Sequence, residues 1–309
     1  MHPRDLRDLQ GQTVIIVEVG PRDGLQNEAA HVSTADKVAF VDRLSAANLP
    51  VIEVSAFVSP KWVPQMADAA EVFAGIVRRP GIRYSALVPN LAGLERALRA
   101  GVTEVAVFAA SSETFSRKNI NQSIDESLAV YREVSARALA AGCRVRGYLS
   151  TAFGCPYEGP VPVEAVCMRT AQLLDLGVFE VAVSDTIGIA HPGQVSRVLE
   201  SLRARVPVER LALHFHDTRG TALANVLAGL LGGVRTFDAS AGGLGGCPYA
   251  PGAAGNLATD DLLYMLDGLG ARTGVSFDRL EEATRFIAER VDHPLPSRYV
   301  QAQRARRQP

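Results

Sequence analysis

Residues 13–24 read TVIIVEVGPRDG, a β-branched apolar run (Thr13–Val19) that passes at once into the turn Gly20-Pro21-Arg22-Asp23-Gly24. The run has the composition of a buried strand. The turn decides between two α/β architectures. An open doubly wound sheet that binds a dinucleotide needs G-x-G-x-x-G here, so that the backbone can approach a pyrophosphate. That spacing is absent, and Pro21 obstructs the approach. An arginine and an aspartate at the end of a first strand fit a barrel, whose active site lies at the C-terminal ends of its strands.

Working outward, seven more strand candidates follow: Val51–Ser55, Arg83–Val88, Glu104–Phe108, Arg144–Leu149, Phe179–Ser184, Leu211–His216 and Val234–Ser240. Helical patterns separate them, at Ser33–Ala47, Pro64–Arg79, Leu91–Ala100, Ser123–Ala141, Val163–Leu176, Pro192–Arg205 and Thr221–Leu231. Ser33 and Asp36 resemble a capping box with Asp in place of Glu. Pro162 and Pro192 suit first-turn positions. Gly101, Gly142 and Gly177 sit where helix C-terminal caps belong. Strand–helix alternation implies right-handed βαβ units and a parallel sheet. Eight units predict an α/β protein of the (β/α)8 TIM-barrel class, which takes about 250 residues. The expected layout is a single domain over 1–309. The barrel runs from about 13 to 256, with a Gly-rich lid loop after strand eight, and a helical C-terminal extension covers about 257–309.

Composition narrows the function. The 32 Lys+Arg nearly balance 33 Asp+Glu, for a formal net charge of -1. That argues against a nucleic-acid protein, which carries a basic stripe. No apolar window is long enough for a membrane span. The N-terminus has no signal-peptide pattern, and the four cysteines make no disulfide framework, so a cytoplasmic enzyme is expected. Only Lys37, Lys61 and Lys118 are lysines. A Schiff-base aldolase needs a lysine at a strand end inside the barrel. Lys37 falls on a helix and the other two in loops, so metal-dependent carbon–carbon chemistry fits better.

The strand ends gather candidates for that chemistry: Glu18, Arg22 and Asp23; Glu53; Tyr148; Asp185; His214, His216 and Asp217. Cys247 and Asn256 lie in the loop after strand eight. In His214-Phe215-His216, period two sends both imidazoles to the barrel mouth and Phe215 out to the helices. The bland reading is two hydrogen-bonded histidines. The chemical reading is half of a divalent-metal site, with Asp23 adding a carboxylate and Asn256 an amide oxygen. Such mixed N/O ligation suits Mg²⁺ or Mn²⁺. Arg22 could stabilise a developing enolate or simply pair with Glu18, Glu53 or Asp185, and Glu53 and Asp185 could act only as orienters. GGLGGCPYAPGAAGN (242–256) has six glycines, as a lid requires, and Cys247 within it is a candidate acid/base. A second GCPY, at 154–157, makes Cys155 its competitor on spacing alone.

Long stretches also resemble the 3-hydroxy-3-methylglutaryl-CoA lyase family of TIM-barrel metallolyases. They are EVGPRDGLQNE (18–28), VIEVSAFVSPKWVPQMAD (51–68), RKNIN (117–121), GCPYEG (154–159), SDTIG (184–188), HFHDT (214–218) and GGLGGCPYAPGAAGNLATDDL (242–262). The resemblance covers roughly residues 13–270. It implies retro-Claisen cleavage of the acyl-CoA to acetyl-CoA and acetoacetate, as in leucine degradation. It implies Asp23, His214, His216 and Asn256 as ligands of Mg²⁺ or Mn²⁺, and Arg22 as holder of the thioester carbonyl. Cys247, rather than Cys155, is the implied catalytic thiol. Gln26, Glu53 and Asp185 fall in the inner polar shell, and His214 or Asp185 would relay the hydroxyl proton. A homodimer or homotetramer is implied. Ser184, Arg219 and Gly243 depart from the usual pattern, leaving open a longer branched 3-hydroxyacyl-CoA substrate. A condensing acyl-CoA transferase of the same barrel group is the competing enzyme reading, although it would typically carry a further C-terminal domain. A barrel that binds metal without catalysis is a third.

Overall fold

Parallel strands cannot be joined by tight turns, so each must be carried back outside the sheet. The computed structural model describes residues 5–246 and 255–307. Its strands are β1 (Ile15–Glu18), β2 (Val51–Ala56), β3 (Arg83–Leu87), β4 (Glu104–Ala110), β5 (Arg144–Ser150), β6 (Val181–Asp185), β7 (Leu211–Phe215) and β8 (Thr236–Ala239). They pair in chain order, and β8 pairs in parallel with β1 to close the barrel. The (β/α)8 architecture expected from the alternation is the one observed.

The returning helices are α1 (Thr34–Ala46), α2 (Ala69–Gly75), α3 (Leu91–Arg99), α4 (Glu113–Ile120), α5 (Ile124–Ala140), α6 (Val163–Asp175), α7 (Pro192–Arg203) and α8 (Ala222–Leu231). After β8 come α9 (Thr259–Gly268), α10 (Phe277–Ala288) and α11 (Arg298–Arg307). Ser33 caps α1 by accepting the Asp36 N–H at 3.1 Å. The shorter Asp36 carboxylate takes the Ser33 hydroxyl and the Arg290 guanidinium, so only half of a capping box forms. Gly101, Gly142 and Gly177 have φ of +71°, +78° and +84°, the left-handed turn that ends a helix.

Two segments differ from the sequence pattern. Pro64–Arg79 is not one helix but a 3₁₀ turn, Pro64–Met66, followed by α2. The helix stops because Ile76 is extended and the Val77 N–H leaves the helix to bond Asp42 Oδ1 at 2.9 Å. Between β4 and β5 there are two helices, the first capped by Ser112.

Strand parity sorts the side chains. On β1, Ile15 and Val17 pack with Val51 in a small cluster of their own, whereas Ile16 joins the large core shared with the helices. Arg146 on β5 reaches Asp238 on β8, and Tyr148 on β5 reaches Glu53 on β2. Those strands are not neighbours, so these contacts cross the barrel interior. Outside, arginines tie loops by their backbone. Arg96 donates to the Phe57 and Val58 carbonyls, and Arg219 to those of Ile187 and Gly188.

α8 lies close on the sheet because Gly229 has no side chain: a Cβ there would fall 2.5 Å from Leu213 Cδ1 and 3.0 Å from the Phe237 ring. Both neighbours are fully buried. Gly229→Val should therefore lower unfolding free energy by about 1–3 kcal/mol through overpacking. Urea unfolding checks this, and an unchanged midpoint would contradict the close packing.

Candidate active site

The turn after β1 folds as one turn of π-helix, Gly20–Gly24. Such turns are rare and frequent at functional sites. Here it turns Arg22 and Asp23 toward the strand ends of β2 and β7. Arg22 is 7% exposed. Its Nε donates to Glu53 Oε2 at 2.7 Å and its Nη1 to Asp23 Oδ1 at 2.6 Å, while Nη2 lies 2.6 Å from Glu53 Oε2. Gln26 Nε2 approaches Asp23 Oδ1 at 3.5 Å. Burial works against the Arg22 charge, but Glu53 and Asp23 outweigh it and raise its pKa.

His214 and His216 share the inward face of β7 and its end, with ring centroids 5.2 Å apart. Phe215 points the other way and packs on Phe153. One ligand atom each from Asp23, His214 and His216 lies within 4.8 Å of the others. Asn256 joins them from the far stem of the loop after β8, bridged by backbone to His216. Its Nδ2 donates to the Leu244 carbonyl at 3.3 Å, which leaves Oδ1 for another partner.

The electrostatics suit a cation. Burial opposes charge on Asp23, yet Arg22, His214 and His216 together hold its carboxyl down to about 2. Burial first, then His214, presses His216 down to about 4, so its imidazole is neutral. For His214 burial is outweighed by the hydrogen bond and charge of Asp238, and its pKa rises. His216 Nδ1 and Asn256 Oδ1 are buried without hydrogen-bond partners. An orphaned amide oxygen beside an ionised carboxylate is costly unless a positive charge meets it. An oxygen-and-imidazole donor set of this kind fits a divalent cation.

The remaining candidates are placed differently. Glu53 is fully buried and also accepts the Tyr148 hydroxyl at 3.3 Å. Asp185 pairs across the sheet with outward-facing Phe215. Its two oxygens accept the Ile189 and Ala190 N–H groups at 3.0 and 2.9 Å, bracing the loop after β6. Burial raises its pKa, outweighing the two backbone bonds, which lower it. Asp217 accepts the Ala222 N–H at the start of α8. Cys247 lies outside the described residues. Cys155 is buried, with Sγ 2.9 Å from Ser112 Oγ and accepting the Tyr157 and Glu158 N–H groups, in a small cluster with Ala110 and Phe115.

Sequence reading missed the polar floor of the site. Asp238 accepts two bonds from Arg146 and lies 3.3 Å from His214 Nδ1. The available signal was parity: Asp238 and Arg146 each occupy an inward strand position, where a lone charge needs a partner.

A parallel barrel whose mouth gathers a carboxylate, two imidazoles, an amide oxygen and a buried arginine defines a class, the barrel proteins with a candidate divalent-cation centre. Residues 13–287 match the HMGL-like family model. The chain belongs to the HMGL-like family. It is 53% identical over 289 residues to the 3-hydroxy-3-isohexenylglutaryl-CoA/hydroxy-methylglutaryl-CoA lyase of Pseudomonas aeruginosa, covering 94% of this chain and 96% of that one. Its structure resembles the crystal structure of the Bacillus subtilis HMG-CoA lyase, with a TM-score of 0.94, 50% identity and coverage of 96% and 99%. It also resembles an HMG-CoA lyase from Acinetobacter baumannii in complex with coenzyme A and 3-methylmalate, with a TM-score of 0.90, 38% identity and 97% of each chain covered.

Glu18, at the same strand end as Arg22, takes no part. It lies on the helix-facing side, fully buried, accepting the Gly20 and Ala241 N–H groups and the Thr259 hydroxyl. Burial raises its pKa from 4.5 to about 7. A raised carboxyl binds its proton more tightly when folded, so this contribution is complete below about pH 4.5 and is lost as pH rises through 7. Glutamine mimics the protonated form. Glu18→Gln should therefore show a shallower fall in melting temperature from pH 5 to 8 than the parent. Parallel curves would refute the assignment.

Proposed function

We propose that this chain cleaves 3-hydroxy-3-methylglutaryl-CoA to acetyl-CoA and acetoacetate, a retro-Claisen reaction dependent on a divalent cation. The carrying observation is the Asp23–His214–His216 cluster with Arg22 bonded to its carboxylate, in a chain about half identical to named lyases of this kind. Asp23, His214, His216 and Asn256 would hold Mg²⁺ or Mn²⁺. When bound, the cation supplies Lewis acidity that lowers the cost of ionising the C3 hydroxyl.

The protein's own groups do the rest. Arg22 has more N–H donors than its two carboxylates use, and the spare ones receive the thioester oxygen as the C2–C3 bond breaks and charge builds there. That help grows toward the transition state. Glu53 and Gln26 hold Arg22 and Asp23 in register. The hydroxyl proton leaves to solvent at the mouth, because ligation and Asp238 occupy both nitrogens of His214 and backbone N–H groups engage both oxygens of Asp185. Cys247 protonates C2 of the departing enolate.

A longer branched 3-hydroxyacyl-CoA is the second reading, favoured by the Pseudomonas relative, whose name includes an isohexenyl substrate. We assign the chain as one folding unit, acting as a homodimer or homotetramer in the cytoplasm, in leucine degradation. Among the described residues no helix is long and apolar enough to cross a membrane.

The test is release of acetoacetate from the CoA ester with added Mg²⁺ or Mn²⁺. Activity should vanish with EDTA and return with metal. Arg22→Gln and Cys247→Ala should each lower kcat at least about 100-fold with an unchanged circular dichroism spectrum. Near-normal turnover in either variant would sink the mechanism, and turnover of a longer homologue alone would favour the second reading.

A further inference from the structure

Below the mouth, the barrel axis is crossed by a hydrogen-bonded assembly centred on Arg146, which is 2% exposed. Its Nη2 and Nη1 donate to the two oxygens of Asp238 at 2.8 and 3.2 Å. Its Nε donates to Glu180 Oε1 at 2.9 Å and its Nη1 also to the Tyr148 hydroxyl at 2.9 Å. On its other side, Asp238 Oδ2 lies 3.3 Å from Nδ1 of His214. We propose that Asp238, locked by Arg146, is a positioning residue that fixes the tautomer and ring angle of His214. Its Nε2 lone pair then faces the cation. The inference rests on the metal reading given above.

The physical reason is donor and acceptor matching. A carboxylate gripped at both oxygens by a guanidinium is ionised and can only accept. Facing it, His214 Nδ1 must carry hydrogen, because a bare Nδ1 would set lone pair against lone pair. The proton is then absent from Nε2, the nitrogen left to ligate. Groups behind a ligating histidine commonly act in this way. A different account would give Asp238 no task except neutralising Arg146. Glu180 separates the two, since it grips the same guanidinium at Nε, whereas His214 Nδ1 faces Asp238.

The test compares Asp238→Asn with Glu180→Gln, reading Mn²⁺ affinity from the free-ion electron paramagnetic resonance signal, without substrate. Asp238→Asn should weaken Mn²⁺ binding about 10–100-fold. Glu180→Gln should stay within about twofold of the parent although its melting temperature falls. If Asp238→Asn also binds within about twofold, or if Glu180→Gln loses as much as Asp238→Asn, the inference is overturned while the metal reading stands. If the parent binds no Mn²⁺, both fall. Should Asp238→Asn not fold, the parent decides alone. Long-range ¹H–¹⁵N spectra of the Mg²⁺-saturated, histidine-labelled chain should show His214 protonated at Nδ1, and protonation at Nε2 instead would overturn the inference.

Discussion

Every residue on a barrel strand is forced to one of two sides, and this binary constraint governs the chemistry of the whole molecule. On β7 it gives His214 to the interior and Phe215 to the helices. On β5 and β8 it faces Arg146 toward Asp238 across the axis, where neither charge could remain alone in so dry a place. On β1 and β6 the same rule removes Glu18 and Asp185 from the mouth and turns them into braces for loops. Acidity, histidine content and nearness to a strand end do not separate these residues. Parity does.

The interior thus reads as two tiers. The upper tier, Arg22, Asp23, His214, His216 and Asn256, leaves unpaired polar atoms and is built to be completed by something else. The lower tier, Arg146, Asp238 and Glu180 with Tyr148 above them, is mutually satisfied. Tyr148 and Glu53 link the tiers, since the phenol that accepts from Arg146 donates to the carboxylate holding Arg22. A self-contained floor under an incomplete mouth is a physical account of how a rigid site can keep open valences.

Much of this was legible in the chain. The eight strands were, because β-branched runs recur between helical patterns with glycine caps. The imidazole pair was, because two histidines at i and i+2 have one geometric meaning on a strand. The break in Pro64–Arg79 was not, since it depends on Asp42 capturing a backbone N–H from another helix. The lower tier was not, because Asp238 sits alone in a short strand and its partner lies 92 residues away. Local pattern carries periodicity; it does not carry pairings that closure of the barrel creates.

The arginines that tie loops by their carbonyls have a chemical corollary. A planar fork reaches two carbonyls at once, as Arg78 does with Nη1 on Gly101 and Nη2 on Ala100, where an ammonium on a flexible stem has no such fit. Guanidinium also stays protonated and is a poor nucleophile toward thioesters, whereas lysine amines are acylated by them. With 29 of 32 basic residues arginine, and Lys37 buried against Asp68, the described residues expose only Lys61 and Lys118 as amines. A protein handling an activated acyl group is thereby left with little of itself to acylate.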